Sequence, residues 1–569
     1  MKRKRRPGPI LLALLLAALT AGAARAAGEA TLTILATSDL HGHLYNWDFA
    51  RGETAPLGLA SVAAIVAEER AQDPALLLVD AGDTLQGSPL VYYYNTRLAA
   101  LENPMATAMN ALRYDAMTLG NHDFDFGLKT LDKFIREARF PVLSANIRAA
   151  GGGERFRPYA LKTVKGVKVG ILGLTTPGIP QWVKPEHIAG LRFDDAVETA
   201  APLVAELRRA GAQVVLALAH AGPHLQPVEN DSAAWRTPLE RWVDKGYGAV
   251  PEQNFVIPLA QRVAGLDVIV SGHTHLTVPE AVINGVLLTQ PSYWGRGVAK
   301  VTLTLGADGR VTGKRSEFLA AEGREPDRRM LTLTRPCQDK ALAYVNTAVG
   351  TAVGDFPGGA EARRADGPLA DLIHAVQLEM ARQAGCPADA SAATLFNNAA
   401  RLPKGPIRIA DLYTLYPYEN TLWVLEITGA GLKAALEQTA RYWAGSDAAA
   451  PTPDPVPAPF AKPYSWDMYS GIEYEIDLSR PVGERVTVLR WQGADLRPEQ
   501  TLKLAVNNFR AVGGGGYRMF REAKVLWRGE TEIREALVEH VAARRRLDPR
   551  DYFTPNWRLA TPGAAETGP

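Results

Sequence analysis

Up to about residue 310, short apolar runs alternate with longer stretches of helical period. The runs are TLTILATSD (31–39), ALLLVDAGD (75–83), AMTLGNHD (116–123), KVGILGLTT (168–176), QVVLALAH (213–220) and DVIVSGHTH (267–275). They are rich in Leu and β-branched residues and too short for helices, and several read as strands buried on both faces. GLASVAAIVAEERA (58–71) and AVETAAPLVAELRRA (196–210) predict helices between them. Strands alternating with helices imply an α/β layered domain. The stretch 285–311 predicts β-hairpin material that closes it. Around 325–350 the pattern becomes a connector containing a helix. A second domain with its own helices and strands is expected over 351–560. Its Pro-rich stretch PTPDPVPAPFAKP (451–463) reads as an exposed loop. The tail 561–569 reads as disordered. No internal repeat is visible.

A chain of 569 residues exceeds a single core, which agrees with two domains. Its N-terminus has a basic segment, an apolar run from Ile10 to Leu19, and then Ala24-Arg25-Ala26. That pattern predicts a cleaved signal peptide over 1–26 and an exported protein, periplasmic or extracellular. The competing reading, a membrane anchor, needs about 20 apolar residues. Residues 1–26 hold six basic residues and no acid, so cleavage leaves 57 Lys and Arg against 61 Asp and Glu. The basicity thus belongs to the leader, and no stable nucleic-acid partner is implied. No membrane partner is expected after cleavage, and a monomer is expected. Cys337 and Cys386 could pair in an exported chain or remain two separate thiols.

The polar residues that end the apolar runs change the picture. Asp39 and His41 follow the first run, Asp83 the second, Asn121 and His122 the third; His220 ends the fifth, and His273 and His275 follow the sixth. Eight of the ten histidines lie before residue 311. Residues at strand ends in an α/β sheet collect along one edge, where such folds place their sites. Imidazoles with carboxylates suit divalent ions such as Zn, Mn, Co or Mg. Seven donors exceed the needs of one ion; if Asp83 bridges two, each receives four protein ligands. Each element alone has a bland reading: a histidine after a strand is more often structural, and GDTLQG or GHTH could be plain turns. Five such elements in one order are not plausibly independent. GNHDFDFG (120–127) carries more chemistry than a turn requires.

In order, DLHGH, GDTLQG, GNHDFDFG, ALAHAG and SGHTH resemble the five blocks of the calcineurin-like metallophosphoesterases. The second half resembles the C-terminal domain of exported 5'-nucleotidases and 2',3'-cyclic-nucleotide 2'-phosphodiesterases. Its matching stretches are 411–437, 470–486, VNNFRAVGGGGY (506–517) and NWRLA (556–560). The resemblance implies a four-layer α/β-β/α metallophosphoesterase sandwich over 30–325, a hinge over 326–350 and an α+β substrate-binding domain over 351–560. It implies that one ion takes Asp39, His41, Asp83 and His275, and the other Asp83, Asn121, His220 and His273. His122 with Asp125 would be the catalytic pair, and Asp123 structural.

The resemblance also implies a small-molecule nucleotide substrate. Tyr418 and Phe509 match rings that sandwich the base; without the family both read as core aromatics. Arg401 matches a phosphate-binding arginine, and Arg363 or Arg364 could supply another; surface charge is the plain alternative. FNNAAR (396–401) lacks the glycine run usual in 5'-nucleotidases, and Gly515 stands where they carry an Asp. YPYENTL, NNFRA and NWRLA look more like the 2',3'-cyclic-nucleotide 2'-phosphodiesterase/3'-nucleotidase subgroup, whereas DFDFG retains the Asp125 of the 5'-nucleotidases. The first subgroup is therefore the expected activity. 5'-Nucleotidase, with UDP-sugar hydrolase activity, is the alternative. A nucleotide-binding receptor without chemistry is a remote third: it would need the rings and arginines but not seven metal-ligand side chains.

Overall fold

The computed structural model describes residues 30–227, 232–243, 253–443 and 462–560. The expected signal peptide, most of the Pro-rich stretch 451–463 and the tail 561–569 lie outside them.

Two six-stranded sheets form the first domain. In the first, Ala30–Thr37, Leu77–Asp80, Ala116–Thr118 and Val142–Leu143 run parallel, in that order. Gly297–Leu305 pairs antiparallel to Ala30–Thr37, and Val311–Ala320 forms the outer edge. In the second sheet Val167–Thr175, Val214–His220, Val268–Ser271 and Val286–Pro291 are parallel neighbours. Tyr159–Val164 and Thr277–Ile283 close its edges antiparallel.

Side chains alternate across a strand, so each strand serves two cores. Ile34 and Ala36 join Leu216, Leu218 and Val270 between the sheets. Leu35 points the other way, toward Leu59, Val62 and Met105 of the helices Leu59–Gln72 and Pro104–Leu112. Val215, Ala217 and Ala219 face Val204 and Leu207 of the helix Ala196–Arg209. The result is the helix–sheet–sheet–helix sandwich that the resemblance implies, and it agrees with the α/β layering read from the alternating pattern. The segment 285–311 differs from the expected hairpin. Val286–Pro291 belongs to the second sheet and Gly297–Leu305 to the first, so the turn 292–296 crosses between them.

The expected connector is largely one helix, Arg328–Val345, capped by Asp327. Met330 and Ala341 are buried in the first domain's core, so this helix packs as part of that domain. Beyond, a five-stranded sheet orders Asp467–Ser470, Ala390–Thr394, Thr501–Asn507, Thr421–Thr428 and Lys524–Glu532. The helices Pro368–Gln383, Gly429–Ala440 and Ile533–Arg544 contribute to its core. This is the α+β arrangement expected of the second half.

Candidate metal centre and substrate cleft

Parallel strands of one sheet end at one edge, and the polar residues that follow them converge there. Asp39, His41 and His275 form one group of possible ligands; Asp83, His220 and His273 form another, with ligand atoms within 4.8 Å in each. His41 Nε2 lies 3.0 Å from His275 Nε2. Asp39 Oδ1 lies 3.4 Å from His275 Nε2. Asp83 stands between the groups: its Oδ2 is 3.0 Å from His220 Nε2 and 3.9 Å from His41 Nε2. Asn121 joins the second group, with Oδ1 3.2 Å from His220 Nε2. The seven residues expected to be ligands are therefore brought together.

Five of the seven have left-handed backbones: Asp39 (φ 51°), His41 (47°), Asp83 (60°), His273 (73°) and His275 (55°). Non-glycine residues rarely adopt this conformation, and such strain concentrates at functional sites. Glycine clears the space around them. A Cβ on Gly120 would lie 2.5 Å from the Asp83 backbone nitrogen, and one on Gly82 would lie 2.8 Å from His220 Nδ1.

Four of the seven candidate donors have the electronic form that metal binding needs; at His220 burial lowers the imidazole, but the Asp83 carboxylate beside it outweighs that and raises it to about 9. Burial pushes the His41 and His273 imidazoles down to about 3, helped by neighbouring histidines, so each is neutral and offers a lone pair. Burial raises the Asp83 carboxyl, but the charges of His220 and His122 outweigh it and hold Asp83 well below the usual range. Asp39 likewise ends below its ordinary value, because His275 counteracts its burial. Carboxylates and imidazoles buried together at one sheet edge fit divalent cations, which would take the place of the proton on His220.

His122 sits beside this cluster. Its Nδ1 is 2.7 Å from Asp125 Oδ2, and its ring meets His41 edge-on at 5.5 Å. Its backbone N–H donates to Asp83 Oδ1 at 2.8 Å. Burial opposes its charge, but Asp125 and Asp83 win and raise the imidazole to about 10. Its side chain keeps 35% exposure, so one face remains open to the cleft. Asp123 has the expected bracing position: it accepts from the backbone N–H groups of Asp83, Thr84, Leu85 and Gly120.

The second domain reaches this site through strand register. Leu422 pairs with Asn507 in adjacent antiparallel strands, so residues 418–420 and 508–510 emerge at one sheet end. Tyr418 and Phe509 are there, 40% and 45% exposed. Such exposure is uncommon for large rings and does not suit the core-aromatic reading. Asn508 Nδ2 donates to the Trp182 carbonyl at 3.0 Å. The Trp182 ring stacks on His273 at 5.4 Å, and Tyr293 stacks on His275 at 4.8 Å. Neither aromatic contact was legible in the chain: Trp182 ends the short helix Ile179–Trp182 and Tyr293 lies in the turn 292–296, and neither segment is long enough to show a period.

One expectation changes and one open question closes. Arg363 does not face the cleft: it is fully buried. Its Nη1 donates to the Gly359 carbonyl and Asn398 Oδ1, and its Nη2 to the carbonyls of Leu395 and Asn397. The guanidinium is spent on holding the turn 395–398. Arg401, which closes that turn, is exposed. Of the two readings left open for Cys337 and Cys386, the structure has separate thiols, one packed against each domain's core.

Comparison with known proteins agrees with this architecture. The calcineurin-like phosphoesterase family pattern matches residues 32–276, and the 5'-nucleotidase C-terminal domain pattern matches 348–522. A 2',3'-cyclic-nucleotide 2'-phosphodiesterase/3'-nucleotidase from Yersinia enterocolitica is 28% identical, covering 97% of this chain and 92% of its own. The protein of that name from Haemophilus influenzae is 26% identical over 91% and 86%. A trifunctional nucleotide phosphoesterase protein from Bacillus subtilis is 29% identical over 94% of this chain, which spans 39% of that longer protein. The crystal structure of a 5'-nucleotidase precursor from Thermus thermophilus superposes with a TM-score of 0.62 at 28% identity, covering 93% of this chain and 99% of that one. The protein is thus a metal-dependent phosphoesterase in which a calcineurin-like phosphoesterase domain is joined to a 5'-nucleotidase C-terminal domain.

Proposed function

We propose that the chain hydrolyses 2',3'-cyclic nucleotides and 3'-nucleotides, releasing nucleoside and phosphate, after export to the periplasm or medium. The observation that carries the reading is the pair of donor groups joined by Asp83, together with the exposed rings of Tyr418 and Phe509 at the end of the second-domain sheet from which Asn508 bonds to Trp182, the ring stacked on His273. We assign one divalent ion to Asp39, His41, Asp83 and His275, and a second to Asp83, Asn121, His220 and His273. Two bound divalent ions, zinc, manganese, cobalt or magnesium, would neutralise the phosphoryl charge and supply a nucleophilic water at neutral pH.

The remaining work falls to the chain's own groups. His122 donates its Nδ1–H to Asp125 and keeps a second N–H at Nε2 for an oxygen of the reacting phosphoryl group. Charge that develops on that oxygen is stabilised by a donor already in place, which costs no reorganisation. Asp125 fixes the ring and its charge. Tyr418 and Phe509 seat the nucleobase by stacking, which tolerates different bases because every base has a π-face. Arg401 contacts the phosphate from the exposed side.

Names and lengths of the relatives support this reading, as do the motifs of the second domain. Asp125 favours the alternative, 5'-nucleotidase activity, since it stands where 5'-nucleotidases carry it. Rates on 2',3'-cAMP, 3'-AMP and 5'-AMP separate the two. The proposal expects the first two to be cleaved faster; hydrolysis of 5'-AMP alone would overturn it.

A further inference from the structure

One buried acid in the cleft has a role that the metal centre and the base clamp do not use. Glu419 follows Tyr418 in the turn that enters the strand Thr421–Thr428, and its side chain is 4% exposed. Its Oε1 accepts from Arg534 Nη2 at 2.7 Å. Arg534 is itself locked: its guanidinium lies 4.1 Å from the Tyr413 ring and 5.1 Å from the Tyr92 ring, and Nη2 also reaches Glu532 at 3.3 Å. Tyr92 belongs to the first domain, so this pair sits where the two domains meet. Glu419 Oε2, by contrast, is buried with no hydrogen-bond partner. Buried carboxylate oxygens are nearly always satisfied, so an orphan one demands a donor.

The location narrows the donor. Glu419 is one residue from the Tyr418 ring, and its charge acts on both His122 and Asp125. A nucleotide with its base on Tyr418 and its phosphate at His122 would hold its sugar between those points. The phosphate has no proton to give at neutral pH, and the base is engaged through its faces. Only the sugar brings hydroxyl donors to this spot. Arg534 holds Oε1, which leaves Oε2 as the oxygen available to such a group.

We propose that Glu419 determines specificity by accepting, at Oε2, a hydrogen bond from a sugar hydroxyl of the substrate. This rests on the nucleotide-phosphoesterase reading. The test compares wild type with E419Q and E419D on 3'-AMP and on p-nitrophenyl phosphate, which has no sugar. E419Q keeps an oxygen for Arg534 and removes the charged acceptor; thermal melting checks its fold. KM for 3'-AMP should rise about 10- to 100-fold in E419Q, the range for a hydrogen bond to a charged group. E419D, which retains a carboxylate, should lose less. The rate on p-nitrophenyl phosphate should not change. Equal losses on both esters would mean that Glu419 acts through His122, and would overturn the proposal; so would unchanged KM values. If wild type cleaves p-nitrophenyl phosphate but no nucleotide, the underlying functional reading fails first, and independently of Glu419.

Discussion

The His122–Asp125 pair offers a prediction whose size follows from one contact. Asp125→Asn removes the negative charge 2.7 Å from His122 Nδ1 and leaves the metal-ligand candidates untouched. A hydrogen bond to a charged partner contributes about 1.5–3 kcal/mol. Each 1.4 kcal/mol lost from the transition state is tenfold in rate, so kcat should fall about 10- to 100-fold. His122→Ala removes the donor itself and should lower kcat by about 10²–10⁴. If Asp125 acts only through His122, adding Asp125→Asn to His122→Ala should cost nothing further. Steady-state kinetics on 3'-AMP for the four proteins, with metal content measured on each, form the assay. Bound metal should be unchanged throughout. Additive losses would refute the pairing, and loss of metal in either single variant would refute the assignment of His122 outside the metal shell.

Replacing Tyr418 or Phe509 by Ala should raise KM for nucleotides by about tenfold each, the lower part of the stacking range of about 1–3 kcal/mol, and leave p-nitrophenyl phosphate unaffected; equal effects on both substrates would remove the rings from base binding. Asp371, buried and accepting from the Thr554 N–H at 3.0 Å, predicts a pH effect on stability. Burial raises its carboxyl from 3.8 to about 7 despite that hydrogen bond, with Asp366 adding to the rise. A raised folded-state pKa means that the native state holds the proton longer, so this contribution is complete below about pH 4 and is lost as pH climbs to about 7. Asp371→Asn should flatten the fall in melting temperature across that window; an unchanged slope would contradict the buried-acid account.

Much of this was legible because strand and ligand signals coincide in the chain. The runs ending at Asp39, Asp83, Asn121, His220 and His273 are strands buried on both faces, and continuous apolarity marks such strands without ambiguity about face. Where a segment serves two sheets the signal fails: 285–311 has hairpin character, yet its first strand pairs in one sheet and its second in the other. The helix Arg328–Val345 read as a connector because Pro336 and a scattered polar face hide its docking on the first core. Arg363 is a subtler case. Sequence gives its charge but not its burial, and only the fold reveals four acceptors waiting for its fork. Trp182, Tyr293 and Glu419 owe their positions to tertiary contacts with His273, His275 and Arg534, which no local pattern records.

Counting bound ions in Asp83→Asn beside wild type, by elemental analysis of metal-replete protein with phosphate release followed in parallel, tests the account most directly. Wild type should carry two ions per chain and release orthophosphate from 3'-AMP, whereas the variant should lose at least one ion and all measurable turnover. A variant that keeps both ions and near-normal turnover would contradict the bridging carboxylate on which the site is built.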